Sequence, residues 1–228
     1  LRYGRTVFDG GSGRGYSGQG SPVGLGGDAG THWSALTLKL GAAYTWNMLS
    51  IQRNVAFPGY ADRLSSSYLG GTAQGFGELG YQLHLGRMLA EPFANVAYVN
   101  LHTNGYHEQG GAAALHGYGT DTGLTFSTFG VKASSTIHAG KLLLVPHGSL
   151  AYRHAFGLAT PTTHMRFATG GSGSMDIAGT PLSVDAAVLD AGLTARLTDR
   201  IKIGLSYIGQ YGAYSVESGV KASMTFKF

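Results

Sequence analysis

Residues Ala35–Met48 read ALTLKLGAAYTWNM, and the order of side chains along this stretch decides the fold class. Leu36, Leu38, Leu40, Ala42, Tyr44, Trp46 and Met48 fall on one parity, while Thr37, Lys39, Gly41, Thr45 and Asn47 fall on the other. A period of two belongs to an extended strand, whose successive side chains point to opposite faces. The pattern returns at Ile201–Tyr211, where Ile201, Ile203, Leu205, Tyr207 and Tyr211 alternate with Lys202, Gly204, Ser206 and Gln210, and Ile208 is the one large apolar residue on the polar face. It is cleanest at the end of the chain, where Val220, Ala222, Met224, Phe226 and Phe228 oppose Lys221, Ser223, Thr225 and Lys227. Weaker alternation runs through Leu1–Phe8, Val23–Thr31, Thr72–Leu85, Leu89–Leu101, Thr122–Thr136, Leu142–Phe156 and Val184–Leu197, which makes ten strands in all.

Composition says what the apolar face meets. The chain has 228 residues, of which 12% are charged and 38 are Gly, yet 43% are hydrophobic. An average soluble domain carries roughly 25% charge. Low-complexity disorder is excluded by 10 Phe, 13 Tyr and 2 Trp, which supply too much apolar surface. A helical membrane protein needs about 18 or more consecutive apolar residues, and no such run occurs. A charge-poor, ordered chain with alternating strands therefore reads as an all-β, transmembrane antiparallel up-and-down β-barrel, its apolar parity toward lipid and its polar parity toward a lumen.

A soluble two-sheet sandwich can show the same alternation, and the connections discriminate. Short links near Thr31–Trp33, Leu85–Arg87, His138–Gly140 and Leu197–Arg200 alternate with long ones over Asp9–Gly20, Leu49–Gly71, His102–Thr120 and Gly157–Ser183, and a shorter one at Gly212–Ser218. Outer-membrane barrels sort their loops in this way, tight turns inside and long loops outside.

Motifs that resemble other chemistry carry little. Gly13–Gly18 and Gly75–Gly80 both fit GxGxxG, but neither opens a helix after a strand, and this glycine content produces such matches by chance. No serine has Gly at both the −2 and +2 positions of a nucleophile elbow. His102, His107 and His116 share a loop without the spacing of metal ligands and read as solvated side chains, so no metal is expected. The net charge of +4 comes from 16 basic and 12 acidic residues without a basic cluster, so no nucleic-acid partner is expected. There is no Cys, hence no disulfide. No cofactor and no catalytic residue is indicated. No signal peptide is visible at Leu1, so an exported form would be a mature or truncated piece.

Lumen-lining residues are expected at Lys39, Glu78, Glu91, Lys132, Arg153, Asp190, Lys202 and Lys221, since charge inside a barrel must be paired or hydrated. Tyr44, Trp46, Tyr98, Tyr152 and Tyr207 are candidates for the interfacial aromatic girdle, with Phe226 beside them.

VAFPGYADRL at Val55–Leu64, AQGFGELGY within Thr72–Leu85, AEPFANVAYVNL at Ala90–Leu101, GGAAALHG at Gly110–Gly117, LTFSTFGVKA at Leu124–Ala133 and YRHAFG at Tyr152–Gly157 closely resemble the C-terminal translocator domain of autotransporters, the type V secretion proteins. The resemblance covers most of the chain. It implies an outer-membrane translocator that anchors and helps export its own N-terminal passenger, with the lipid bilayer, the barrel-assembly machinery, the passenger segment and a plug helix as partners, as a monomer and without enzyme activity. The terminal residues Val220, Ala222, Met224, Phe226 and Phe228 resemble the family's outer-membrane assembly signal. Such translocators have twelve strands and a helix in the pore, so the resemblance makes Leu1–Phe8 the third strand and places two strands and the helix before Leu1. The alternative from the residues alone is a small passive porin without a passenger.

Overall fold

The computed structural model describes residues 2–3, 6–9, 15–140, 142–157, 160–170, 173–198 and 200–226. In chain order its strands are β1 (Arg2–Tyr3), β2 (Thr6–Asp9), β3 (Tyr16–Trp33), β4 (Leu36–Phe57), β5 (Tyr60–Tyr81), β6 (Leu83–Leu85), β7 (Met88–Thr103), β8 (Tyr106–His107), β9 (Leu115–Gly117), β10 (Thr120–Ser135), β11 (Ile137–Ala139), β12 (Leu142–Phe156), β13 (Thr162–Phe167), β14 (Ser174–Ala178), β15 (Asp185–Arg196), β16 (Ile201–Gly212) and β17 (Val216–Phe226). One antiparallel meander runs β1-β3-β4-β5-β7-β10-β12-β15-β16-β17, with β2 on β3, β6 on β7 and β11 on β12. A second, small sheet of order β14-β13-β9-β8 stands apart. Among the described residues β17 pairs only with β16.

Tight turns gather at one end. Trp33 pairs with Leu36 around Ser34-Ala35, and Ser34 has a φ of 55°. Gly86 and Gly140, each with φ 62°, turn the chain between Leu85 and Met88 and between Ala139 and Leu142. Two-residue hairpin loops demand positive φ, which glycine adopts without steric penalty. The first of these turns lies just beyond the expected Thr31–Trp33, whose residues still pair in the ladder.

The opposite end departs from the expectation of plain loops. Leu49–Gly71 is a hairpin in which β4 and β5, 22 residues each, stay paired until Phe57 meets Tyr60 across Pro58-Gly59, with Gly59 at φ 85°. Pro then Gly with positive φ at the second position is the chemistry of a type II turn. At about 3.3 Å per residue each strand is roughly 70 Å long, against the 9–11 residues that cross a bilayer. The reason the sequence hid this is visible along β4. Its outward parity is apolar through Met48 and then becomes Ser50, Gln52 and Asn54, while the inward parity gains Leu49, Ile51 and Val55. Period two persists, but the apolar parity changes face because lipid outside has given way to water. Likewise Tyr16–Gly20 belongs to β3, and the segments read as loops at His102–Thr120 and Gly157–Ser183 contain the small sheet.

Which face of the large sheet is concave follows from contacts that skip a strand. Lys132 on β10 reaches Glu78 on β5 across β7, and Arg153 on β12 reaches Gln210 on β16 across β15 at 2.7 Å. Two strand spacings are about 9.6 Å, so such side chains meet only where the sheet curls toward them. The opposite face exposes Leu40, Trp46, Met48, Leu69, Val96, Phe129, Leu150, Leu193, Leu205 and Met224. The sheet itself encloses almost no apolar core. Among the described residues Leu64 is the one large side chain with 0% exposure, and it lies in the projecting hairpin.

Candidate functional site

The ladder registers place Lys39, Glu78, Glu91, Lys132, Arg153, Asp190, Lys202 and Lys221 all on the concave face. Lys39 opposes Glu78, Glu91 opposes Lys132, Lys132 opposes Ser149, which opposes Asp190, and Lys221 opposes Ser206. Six of these eight have a side-chain partner among the described residues. Glu78 accepts from Lys39 at 3.2 Å and from Lys132, so one carboxylate serves two ammonium groups. Lys132 also sits 4.2 Å from the Phe93 ring centroid. Asp190 lies 3.9 Å from His147. Glu91, 8% exposed, accepts from Thr37 and Gln82 at 3.4 Å each. Arg153 donates to Gln210 and, at 3.3 Å, to Thr128. Lys202 and Lys221 have no ion-pair partner among the described residues. Thr37, Gln82 and Gln210 were placed on polar parities but not named as lumen-lining, and Thr128 and His147 were not singled out; parity marks the face, but what each touches depends on the curl.

Tyr44, Trp46, Tyr98, Tyr152 and Tyr207 all lie on the convex face, as does Phe226. Tyr44 and Trp46 meet edge to face with centroids 4.7 Å apart. The Tyr44 and Tyr98 hydroxyls lean over Gly71 and Gly123, where any Cβ would overlap them. Near the tight-turn end Trp33 and Tyr81 flank Leu36 in one row of the same face. From Leu36 to Trp46 along β4 is about 33 Å, which a tilt of about 40° reduces to roughly 25 Å, the height of an outer-membrane apolar band. Trp33 escaped the sequence reading because its turn was placed too early, and Tyr81, inside the expected strand Thr72–Leu85, was not singled out because its row partner Trp33 was read as turn. Val220, Ala222, Met224 and Phe226 form the exposed convex row of β17, whereas Phe228 lies outside the described residues.

Beyond the apolar band the long connections build a cap on the projecting hairpin. Asn104 N–H donates to Leu69 O, and Ser65 and Gln109 exchange two backbone bonds of 2.9 Å, so the chain leaving β7 climbs the edge of β5. Arg53 donates twice to Glu108, from Nε at 3.1 Å and NH2 at 2.6 Å, and again to Ala113 O at 2.9 Å. Glu108 also accepts from Leu115 N–H, and Asp62 accepts from Ala113 N–H, each at 2.9 Å. Tyr68 and Tyr106 stack with centroids 4.9 Å apart. The second connection joins by strand pairing of β13 with β9, by Ala168 N–H to Ala114 O and by the Thr169 hydroxyl to Ala112 O. His107 and His116 face each other across the small sheet with ring centroids 3.9 Å apart, while His102 bonds Asp121 and Asn104 elsewhere. No group of three or more metal-ligating side chains occurs among the described residues.

The cap has a pH dependence of defined sign. The Tyr60 hydroxyl and the Ala113 N–H hold the Asp62 carboxyl below its usual range. The His116 imidazole is pushed down first by burial and then by His107 and Arg166. Both folded-state pKa values are depressed, so both contributions are complete above the unfolded values, about 6.5 for His and 3.9 for Asp, and are lost as the pH falls below them. Amide exchange at Ala113 and Leu115, corrected for intrinsic rates, is expected to accelerate in two stages on acidification, the first below about pH 6.5 and the second below about pH 4. Constant protection between pH 8 and pH 5 contradicts the His116 part.

Comparison with known proteins gives this geometry its context. A family model described as "Autotransporter beta-domain" matches residues 1–208. Two proteins of Serratia marcescens, both named extracellular serine protease, are 31% identical over 226 residues and 32% identical over 206 residues. These alignments take in 99% and 90% of the chain but only 21% and 19% of the relatives, so the chain spans about a fifth of their length. Among solved structures, the translocator domain of NalP from Neisseria meningitidis superposes with a TM-score of 0.77 at 13% identity, covering 99% of this chain and 73% of that one. The β-domain of the Bordetella autotransporter BrkA gives 0.54 at 16% identity, covering 99% and 96%. These two likenesses concern the fold.

Proposed function

Since the chain belongs to the autotransporter β-domain family and is thus an outer-membrane translocator domain for a passenger, we propose how its surfaces divide that work. The convex face holds the domain in lipid, with Tyr44, Trp46, Tyr98, Tyr152 and Tyr207 toward the outer interface and Trp33 and Tyr81 toward the inner one. The concave face is the wall past which the passenger moves. Glu78, Lys39 and Lys132 hold one another, Glu91, Arg153 and Asp190 are held by polar neighbours on the same wall, and Lys202 and Lys221 remain for an extended polypeptide or for a helix resting in the pore. The observation that carries this division is the segregation of charge onto the concave face, with an ion pair and an arginine–glutamine bond that each skip a strand, beneath an apolar convex face. The protein acts as a monomer and has no catalytic role of its own in this reading; the protease activity in the relatives' names would belong to the part of them that the alignment does not reach. Two further strands from the same polypeptide would pair with the edges left open among the described residues, at β1 and β17, and complete the barrel, and a plug helix would rest in the pore. Family membership favours this over a passive porin.

The test is made on the product of the complete reading frame in intact cells. External protease is expected to remove a passenger and to spare a membrane-protected fragment containing residues 16–226. A product with no protease-accessible passenger and a stable open-channel conductance supports the porin instead.

The exposed row Val220, Ala222, Met224 and Phe226, continued in the sequence by Phe228, is proposed as the signal read by the barrel-assembly machinery through pairing with the edge of β17. Deleting Phe228 is expected to cut the heat-modifiable, membrane-inserted form severely while leaving synthesis unchanged. Normal insertion of the deletion rejects the signal.

A further inference from the structure

Of the chain's asparagines only Asn104 precedes a glycine. An Asn-Gly step usually marks a two-residue hairpin turn, with positive φ at both positions. Here no turn is made. Thr103 opposes Thr120 and Tyr106 opposes Gly117, so β8 and β9 continue the β7–β10 pairing in the same register, and neither Asn104 nor Gly105 has a positive φ. Close approach accounts for the glycine, since a Cβ on residue 105 would stand 3.1 Å from the Gly117 carbonyl oxygen. Backbone geometry does not call for the asparagine, and its side chain points to another use. Asn104 Oδ1 lies 2.9 Å from Nε2 of His102, whose Nδ1 lies 2.8 Å from Oδ1 of Asp121 on β10. Both ring nitrogens thus face oxygen acceptors, which only the doubly protonated imidazole can satisfy together. Across the neighbouring strands His102 opposes Gly71 on one side and Asp121 on the other, so Asp121 is the charged group that faces it. A carboxylate that orients a histidine toward a third group is the logic of acid–base sites. His102, Asn104, Gly105 and Asp121 are all exposed, and the Gly105 N–H makes no hydrogen bond among the described residues.

We propose that Asn104-Gly105 is a self-modification site, at which His102, positioned by Asp121, promotes conversion of the asparagine to aspartate and isoaspartate. The Gly105 nitrogen attacks Cγ of Asn104, and the new N–Cγ bond closes a succinimide ring. The Cγ–Nδ2 bond breaks and ammonia leaves, so that in net terms the Gly105 amide proton departs on the ammonia. His102 donates to Oδ1 while the carbonyl oxygen gains negative charge, and then protonates the departing nitrogen. Glycine has no side chain to obstruct the ring closure. Water opens the succinimide at either carbonyl and leaves a carboxylate, with nothing oxidised or reduced. Opening at the main-chain carbonyl of residue 104 gives isoaspartate, whose main chain is longer by one methylene. That change falls where the Asn104 N–H donates to Leu69 O, the first tie of this connection to β5, and the new carboxylate stands beside Asp121 with one imidazole between them. The modification therefore loosens the connection where it leaves the wall.

The test follows the full-length protein in isolated outer membranes over time at a series of pH values. After digestion, the peptide containing Asn104 is weighed for conversion of amide to acid, and isoaspartate is measured by enzymatic methyl transfer. Conversion at Asn104 is expected to be roughly tenfold or more faster in the folded protein than in the denatured chain, while Asn95 and Asn100 on the same strand stay intact. The pH profile carries the second readout. Closure in a free chain quickens steadily with pH, because it needs a deprotonated amide nitrogen. In the folded protein the rate is expected to level off once His102 loses its proton, since loss of the acid offsets the gain in nucleophile. His102→Gln is expected to slow conversion roughly tenfold or more and to restore the steady climb. Asp121→Asn is expected to slow it by less and to move the pH at which the rate levels off. A folded rate equal to or below the denatured one, or an unchanged rate and profile in His102→Gln, overturns the proposal. Should His102→Gln fail to give heat-modifiable protein, the comparison of folded with denatured wild type decides alone.

Discussion

Leu205→Lys is expected to destabilise the membrane-inserted domain by about 2–4 kcal/mol, the penalty for a lysine on the lipid face near the bilayer midplane. Leu205 is 58% exposed on the convex face and lies midway between Ile201 and Tyr211, in one row with Leu193 on β15 and Ala222 on β17. On the proposed lipid-facing surface it would meet hydrocarbon, and an ammonium group cannot find a partner among Leu193, Ala222 and Ile203. Gln74→Lys supplies the contrast, because Gln74 is an exposed residue of the concave face, opposite Ala43 and Val99. It is expected to cost less than about 1 kcal/mol, since lumen substitutions do not place charge in hydrocarbon. Denaturant unfolding of both variants in lipid vesicles checks the pair. Equal losses refute the assignment of faces on which the proposed division of labour depends.

Arg53→Ala is expected to loosen the cap by about 3–5 kcal/mol without touching the barrel, because it strands a buried carboxylate. The Glu108 side chain is only 5% exposed and keeps just the Leu115 N–H when the guanidinium is removed. The reverse change, Glu108→Ala, is expected to cost less, since the Arg53 side chain is 29% exposed and can turn to water. Hydrogen exchange at Gln109 and Leu115 should then rise on the order of a hundredfold or more in Arg53→Ala, while heat-modifiability stays normal. Unchanged exchange means that the ion pair does not hold the cap. The asymmetry between the two variants is informative in itself, because a pair held mainly by exposed charge would lose equally from either side.

Much of the barrel was legible in the chain. Period two with a constant apolar parity, as at Ala35–Met48, depends only on the geometry of an extended backbone between lipid and a polar interior, so every lumen and girdle candidate within the described residues fell on the face its parity required. The logic failed where the environment changed. Past Met48 the outer face meets water and the inner face meets the cap, and a strand read by its apolar outer parity looked like a loop. Asp62 and Glu108 were unreadable for a related reason: a charged residue in a Gly- and Ala-rich connection reads as solvated unless something folds over it, and that something comes from residues 50 and more positions away.

Sequence by itself therefore determined the fold class, the direction in which each membrane strand points its side chains and, through motifs taken in order, the family, because all of these follow from local alternation and local composition. Only the tertiary structure decided that Lys132 shares Glu78 with Lys39, that two connections join as one sheet, and that Glu108 and Ala113 dock on the inner side of the β4–β5 hairpin. Those facts depend on the curl of the sheet, which brings together strands that are not neighbours, and the curl is a property of the whole meander that no single strand encodes.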